Sequence, residues 1–168
     1  MSLFDKKFKK YFYFYIFQSI LATISLIIIL YFLNIFTNAA IIASLGATTF
    51  IIFAMPKYTT ANPRNVIGGH LIGILVGIFS IFISSLNFRT GENFFSSEMI
   101  NIIIPAFSVG LSIFLMVITN TEHPPAAGTA LGLTVQGCTY STILVILITT
   151  IVLTLVRYLL KPWLKDLI

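Results

Sequence analysis

Five long apolar runs divide this chain and determine where it can fold. They consist mainly of aliphatic residues and phenylalanine, and each is about 17 to 23 residues long. At 1.5 Å per residue, a helix of about 20 residues spans the roughly 30 Å of hydrocarbon in a bilayer. The runs cover residues 11–33, 39–55, 66–86, 100–119 and 141–160. The sequence therefore predicts an all-α protein, a polytopic transmembrane helix bundle with five long spans.

The composition excludes a soluble globular domain. Hydrophobic residues make up 58% of the chain and charged residues 9%, and the mean hydropathy is +1.01. A soluble domain of 168 residues could not bury so much apolar surface. The net charge of +5 lies mostly at the two ends of the chain, where basic residues meet lipid head groups, so it requires no nucleic-acid partner.

The sequence predicts no enzyme, no metal site and no cofactor. The single cysteine, Cys138, excludes an internal disulfide and a multi-thiolate metal site, and its type suits a small buried apolar position. His70, Glu122 and His123 lack a close ligand spacing such as His-x-x-x-His. The sequence also lacks a Walker-type glycine loop, so ATP could drive transport only through another subunit.

One apolar stretch, residues 124–136, is too short for an ordinary span. It is rich in glycine and alanine and forms either a short helix or a re-entrant segment. The basic flank 1–10 predicts a cytoplasmic N-terminus, and Arg157, Lys161 and Lys165 favour a cytoplasmic C-terminus. Two ends on one side require an even number of crossings, so the charges favour a crossing by the short stretch. We expect this topology in the plasma (inner) membrane of a prokaryote.

Two parts of the chain resemble each other. Each consists of a span, a polar loop with proline and a glycine-rich span, and the two units cover about residues 39–86 and 100–138. A final span follows at about 141–160, so residues 1–168 are expected to form a single transmembrane domain. In transporters, repeats place the substrate where they meet.

Prolines open the second span of each unit. Pro63, Pro124 and Pro125 suit the first helical turn, in which the amide hydrogen has no partner. Two helix starts are therefore expected near the inner face, with N–H groups and a partial positive charge that could hold an anion.

Glycines recur at every fourth residue behind these helix starts. They are Gly69, Gly73 and Gly77 in the first unit and Gly128 and Gly132 in the second. This spacing indicates close packing of helices more than the lining of a pore. His70 shares a helix face with Gly73 and Gly77, so it should point into the bundle and have a partner there, in either a functional or a structural role.

Charged residues beside the prolines predict a positively charged entrance for an anion. Arg64 and His123 occupy matching loop positions, and Lys57 adds a further positive charge. Glu122 is the acidic residue of this region. It could pair with Arg64 and tie the two units together, or it could take part in proton coupling.

Two motifs resemble the HPP family of integral membrane proteins, named for its His-Pro-Pro motif. The first begins at Glu122 and reads Glu-His-Pro-Pro-Ala-Ala-Gly. The second begins at Asn62, and in it Pro-Arg precedes Gly-Gly-His. They lie about 50 residues apart in the order typical of the family, and the resemblance covers about residues 39–160. Members of the family have been linked to nitrite transport across chloroplast and cyanobacterial membranes, so the resemblance implies a transporter or channel for a small inorganic anion, above all nitrite.

The resemblance also implies a set of substrate-binding residues, which are the motif positions and their neighbours. They are Asn62, Arg64, Gly69, His70, Glu122, His123, Pro124 and Pro125. The alternative is a structural or sensory membrane module, whose polar groups pair with one another and leave no cavity. At 18.7 kDa the chain is small for a complete transporter, so a homo-oligomer is a further expectation.

Overall fold

The fold is a bundle of six α-helices. It was obtained as a computed structural model that describes residues 7–33, 39–89 and 97–168, so most of the basic flank 1–10 lies outside the described residues. The elements are α1 (Phe8–Leu33), α2 (Ala39–Ala54), a 3-10 turn (Thr59–Ala61), α3 (Pro63–Arg89), α4 (Ser97–Ile118), α5 (Pro124–Gln136) and α6 (Tyr140–Leu160). The predicted all-α membrane bundle is confirmed.

The predicted number of long spans is wrong by one. Among the described residues, four helices are long and apolar enough to cross a membrane: α1, α3, α4 and α6. The exception is α2, which has 16 residues and is therefore only about 24 Å long. The apolar run continues to Met55, but the helix ends at Ala54 because Pro56 disfavours helical backbone in the residue before it.

The short helix α5 packs between α2 and α3, and glycines permit both contacts. On the α2 side, Gly128 faces Ser44 and Gly132 faces Ile41. A Cβ atom on Gly132 would lie 2.9 Å from the side chain of Ile41, closer than real Cβ atoms approach. Residue numbers rise along α5 as they fall along α2, so the two helices are antiparallel.

The contact of α5 with α3 is closer still. A Cβ atom on Gly73 would overlap the carbonyl oxygen of Ala126, and one on Gly77 would lie 2.9 Å from the Cβ atom of Leu133. Residue numbers rise together in these pairs, so α3 and α5 are parallel. The predicted packing role of the glycines is confirmed, because their small size allows the two backbones to approach.

The last helix, α6, returns alongside α2 and α3. Ile146 packs in one apolar cluster with Ile41, and Leu153 packs in a second with Ile52. These pairs make α6 parallel to α2. Its final residues therefore reach the end of the bundle where α2 ends and α3 begins, which we call the basal end. The arrangement agrees with the expectation that α5 crosses the bundle instead of turning back.

The residues after α6 fold back across the basal end, which the sequence did not predict. The N–H of Leu167 donates to the carbonyl of Ala54 at 2.9 Å. Gln18 of α1, fully buried, donates to the carbonyls of Phe53 and Lys165 and accepts from the N–H of Lys165 at 2.8 Å. These bonds attach α1 to α2 and to the C-terminal residues without any ionised group in the middle of α1.

Candidate functional site

Two buried histidines meet in the core of the bundle. His70 of α3 and His123, just before α5, are both fully buried, and their ring centroids are 5.2 Å apart. Gly69 makes the approach possible, because a Cβ atom on it would lie 2.7 Å from the Cβ of His123. The two motifs that the sequence analysis singled out thus come together through their histidines.

Thr48 of α2 joins the two rings. Its Oγ1 lies 2.9 Å from Nε2 of His70 and 3.0 Å from Nε2 of His123. The same hydroxyl also lies 3.0 Å from the carbonyl oxygen of Ser44, one helical turn earlier. A single hydroxyl therefore has three partners and only one hydrogen to give.

Hydroxyl groups continue this chain on the other side of His70. Its Nδ1 lies 2.8 Å from Oγ1 of Thr129 in α5, which lies 3.0 Å from Oγ of Ser44. Oγ of Ser44 also lies 2.6 Å from the carbonyl oxygen of Pro125. We call Ser44, Thr48, His70, His123 and Thr129 the histidine cluster.

The outer nitrogen of His123 is bound to backbone. Its Nδ1 donates to the carbonyl of Thr60, in the 3-10 turn, at 2.8 Å. His123 lies in the loop before α5, and burial lowers its pKa to about 4, although the hydrogen bond to Thr60 acts in the opposite direction. The imidazole of His123 is therefore neutral at ordinary pH, with its proton on Nδ1.

An open polar cavity lies at the basal end, directly beside the loop that carries His123. Its volume is about 570 Å³. It is lined by Thr59, Asn62, Arg64, Asn65, Asn120 and Glu122, and we call it the vestibule. Asn62, Arg64 and Glu122 were predicted as site residues, and the structure brings them together here.

Within the vestibule, the side chains of Arg64 and Asn65 donate to backbone carbonyls. Nη2 of Arg64 donates to the carbonyl of Thr119 at 3.0 Å, and Nδ2 of Asn65 donates to the carbonyl of Glu122 at 3.1 Å. Among the described residues no ion pair joins Arg64 to Glu122. The two units of the chain are instead connected through backbone carbonyls, which leaves the guanidinium exposed to the cavity.

The two predicted helix starts differ in what they offer an anion. Pro124 and Pro125 have no amide hydrogen, and the N–H of Ala126 donates to the carbonyl of His123 at 2.9 Å. The expectation of free N–H groups at the start of α5 is therefore wrong, because the prolines that favour this start also remove its donors. In α3 only Pro63 lacks the hydrogen, so the first turn retains N–H groups without a partner inside the helix.

The remaining predicted residues are placed apart from the cavity. Pro124 is exposed and Pro125 is buried against Ser44. Lys57 is exposed and does not line the vestibule, and its backbone N–H donates to the carboxylate of Asp166 at 2.9 Å. Lys57 therefore adds charge at the basal end without belonging to the site.

Arg157 is a site residue that the sequence analysis missed. It is 3% exposed, and its guanidinium donates to the carbonyl of Pro56 through Nε at 2.9 Å and Nη2 at 2.5 Å. Nη2 also donates to Oδ1 of Asn62 at 3.1 Å, so Arg157 lies directly behind the vestibule. The signal was present, because Arg157 lies inside the predicted span 141–160, where an ionisable residue is costly.

The hydroxyl residues of the histidine cluster were also missed. Ser44 and Thr48 lie four residues apart and so share one face of α2, while Thr129 lies in the glycine-rich helix α5. Serine and threonine are common in membrane helices, where they bond to their own backbone, so no local pattern distinguished these three residues. Their roles depend on the approach of three helices that only the fold specifies.

The chain was compared with known proteins. A family model described as "HPP, transmembrane region" matches residues 9–165. A transmembrane protein of Dictyostelium discoideum is 41% identical over 91 residues, which are 54% of this chain and 28% of that protein. A second from the same organism is 32% identical over 92 residues, which are 54% and 26% of the two chains. The matched region thus covers only about a quarter of these relatives, and no solved structure matches the chain significantly. Because the family model covers nearly all of its length, the chain belongs to the HPP family of membrane proteins.

Proposed function

We propose that this protein transports a small inorganic anion, with nitrite as the expected substrate and the vestibule as its entrance. The observation that carries the proposal is an open cavity of about 570 Å³ whose cation, Arg64, makes no ion pair with a carboxylate among the described residues. A guanidinium exposed in this way attracts anions and offers donors for their oxygen atoms.

The amides of the vestibule support the same substrate class. Arg157 donates to Oδ1 of Asn62, which identifies that atom as the acceptor and leaves the NH₂ group of Asn62 as a donor in the vestibule. The first turn of α3 adds the N–H groups of Arg64 and Asn65. A small anion entering here would exchange water for an ordered set of donors.

The histidine cluster lies next on the path into the bundle. Its two imidazoles are fully buried and bonded to each other through Thr48, so they close the route beyond the vestibule. We therefore favour a transporter that changes conformation over a permanently open channel. A structural or sensory module is the second candidate, favoured by the mutual pairing of the cluster, but the vestibule is a cavity that such a module would not need.

We also propose an orientation of the bundle in the membrane. We place the basal end in the cytoplasm of a prokaryote, with both termini on that side, because the basic residues of the chain concentrate there. The two repeat-like units would then enclose the anion within a single transmembrane domain. We further propose that copies of the chain associate in the membrane, since one copy is small for a transporter.

Uptake of nitrite into liposomes containing the purified protein tests this function. We expect nitrite to enter faster than into protein-free liposomes and faster than chloride or nitrate. Arg64→Ala should slow uptake because it removes the cation, and His123→Ala should slow it because it opens the cluster. Lys57→Ala, which removes an exposed basal cation outside the vestibule, is the matched control and should leave uptake unchanged. Equal nitrite uptake by the wild type, Arg64→Ala and His123→Ala would reject the site, and no uptake by the wild type would reject the function.

A further inference from the structure

The hydrogen bonds of the histidine cluster end at two backbone carbonyls, those of Thr60 and Pro125, and starting from Thr60 gives one direction for the contacts between them. The carbonyl of Thr60 can only accept, so Nδ1 of His123 must carry a hydrogen. In the neutral ring Nε2 is then an acceptor, and Thr48 must donate to it. Thr48 consequently accepts at its oxygen, and the hydrogen in that contact comes from Nε2 of His70.

The same reasoning fixes the rest of the chain. Because neutral His70 carries its hydrogen on Nε2, its Nδ1 accepts from the hydroxyl of Thr129. Thr129 in turn accepts from the hydroxyl of Ser44, and because Ser44 has one hydrogen, its 2.6 Å contact with the carbonyl of Pro125 then holds none. If Thr48 donated to the carbonyl of Ser44 instead, Nε2 of His123 would face an oxygen with no hydrogen between them, which is costly in a buried site.

From this geometry we propose that the histidine cluster is a proton relay that carries one proton with each anion, so that transport is proton-coupled. The proposal rests on the proposed function, because it concerns the same site and the same substrate. It assigns a role to Ser44, Thr48 and Thr129 as well as to the two histidines. The relay leads from Ser44 toward His123, whose neighbour Glu122 lines the vestibule.

One added proton reverses the four hydrogen bonds between Ser44 and His123 without moving a heavy atom. A proton arriving at Ser44 lets Ser44 pass its own to Thr129, and Thr129 passes one to Nδ1 of His70. His70 then releases its Nε2 proton to Thr48, which gives its own to Nε2 of His123. The final state holds one more proton than the first and places the positive charge on His123. Each transfer breaks one O–H or N–H bond and forms another, so the protons balance.

The reversed arrangement leaves no donor or acceptor of the cluster unmatched. His70 now donates from Nδ1 to Thr129, Thr129 donates to Ser44, and Ser44 donates to the carbonyl of Pro125. Ser44 therefore donates to Thr129 at 3.0 Å before the proton arrives and to the carbonyl of Pro125 at 2.6 Å afterwards. The six contacts between the carbonyls of Pro125 and Thr60 share five hydrogens while both rings are neutral, so one added proton completes the cluster.

The charged groups around the cluster suit a coupling to anion binding. α2, α5 and the 3-10 turn carry no ionisable side chain, and α4 brings only Glu98, in its first turn. At the end of the cluster near His123, Arg64 and Glu122 line the vestibule and Arg157 lies behind it. An anion in the vestibule adds negative charge beside His123 and favours its protonated form. Binding of the anion and arrival of the proton then support each other.

NMR of the imidazole nitrogens tests the relay without a transport assay. The chain has only two histidines, so labelled protein in lipid gives two pairs of imidazole nitrogen signals, which a His70→Gln variant assigns. At neutral pH we expect His123 to carry its hydrogen on Nδ1 and His70 on Nε2. On acidification His123 should become doubly protonated as His70 changes to the Nδ1 form. The same tautomer for both rings at neutral pH, or a His70 that keeps Nε2–H in acid, would overturn the relay.

Proton movement during nitrite uptake provides the second test. The wild type should take up one proton with each nitrite, and Thr48→Val should reduce this proton movement to the level of protein-free liposomes. Thr149→Val is the matched control, since Thr149 is a buried threonine of α6 whose hydroxyl has no hydrogen-bond partner among the described residues, and it should behave as the wild type. Nitrite uptake by the wild type without proton movement, or proton movement retained by Thr48→Val, would overturn the relay and leave the proposed function standing. Wild-type liposomes that take up no nitrite would overturn the function itself.

Discussion

Replacing Gly73 with alanine is expected to lower the free energy of unfolding by about 3 kcal/mol, at the upper end of the usual cost of overpacking. The new methyl group would overlap the carbonyl oxygen of Ala126, which belongs to the backbone of α5 and cannot rotate away. α3 and α5 must then separate, and the contact that brings His123 beside Gly69 separates with them. Denaturation of the purified protein, followed by the fluorescence of its single tryptophan, Trp163, measures the loss.

Gly110→Ala is the matched control for this substitution. Gly110 lies in α4, and within the described part of the chain a Cβ atom on it would have no neighbour from another element within 4 Å. Alanine there should be neutral or stabilise the protein by up to about 1 kcal/mol, because alanine favours a helix more than glycine does. If the two variants had equal stability, the close packing of α3 and α5 would not be a main source of stability.

Replacing Arg157 with methionine is expected to destabilise the protein by about 2 to 3 kcal/mol, the range for losing buried hydrogen bonds to a charged group. Methionine has a similar length but no donor, so the carbonyl of Pro56 loses its partner and Asn62 is no longer held. Because Asn62 lines the vestibule, the same change should also weaken nitrite uptake in the molecules that remain folded. The denaturation assay and the uptake assay measure the two effects separately.

Lys161→Met is the control for Arg157→Met, because it removes a positive charge from the exposed turn that follows α6. It should change the free energy of unfolding by less than about 0.5 kcal/mol, as is usual for a surface substitution. Nitrite uptake should stay at the wild-type rate. Equal stability of the two variants would mean that the buried guanidinium of Arg157 is not required for the stability of the fold. Arg157 would then be only a topology signal, as the sequence analysis treated it.

The class of the fold and the pairing of its two motifs could be predicted because each depends on a local pattern. Span lengths follow from runs of apolar residues, and the glycine stripe of α3 predicts a close neighbour. The inward direction of His70 followed from its shared face with Gly73 and Gly77, and the structure confirms that it is buried with partners. The length of α2 was harder to predict, because its apolar run continues to Met55 whereas the helix ends at Ala54, before Pro56.

The parts of the site that could not be predicted depend on contacts between distant segments. Thr48 and Thr129 gain their roles only when α2, α3 and α5 meet, and nothing in their local sequence distinguishes them from threonines that bond to their own helix. Glu122 was expected either to pair with Arg64 or to take part in proton coupling. The carbonyl of Thr119 accepts from Arg64 and the carbonyl of Glu122 accepts from Asn65, and such backbone acceptors carry no sequence signal.

Cysteine labelling can show whether a small anion occupies the vestibule. Cys138→Ala removes the one native thiol, after which Thr59→Cys places a thiol in the vestibule and Tyr140→Cys places one at the start of α6, at the opposite end of the bundle. We predict that nitrite slows the reaction of an uncharged maleimide with Thr59→Cys, that Arg64→Ala abolishes this protection, and that Tyr140→Cys reacts at the same rate with or without nitrite. Equal rates at Thr59→Cys with and without nitrite, at nitrite concentrations that saturate uptake, would show that nitrite does not occupy the vestibule.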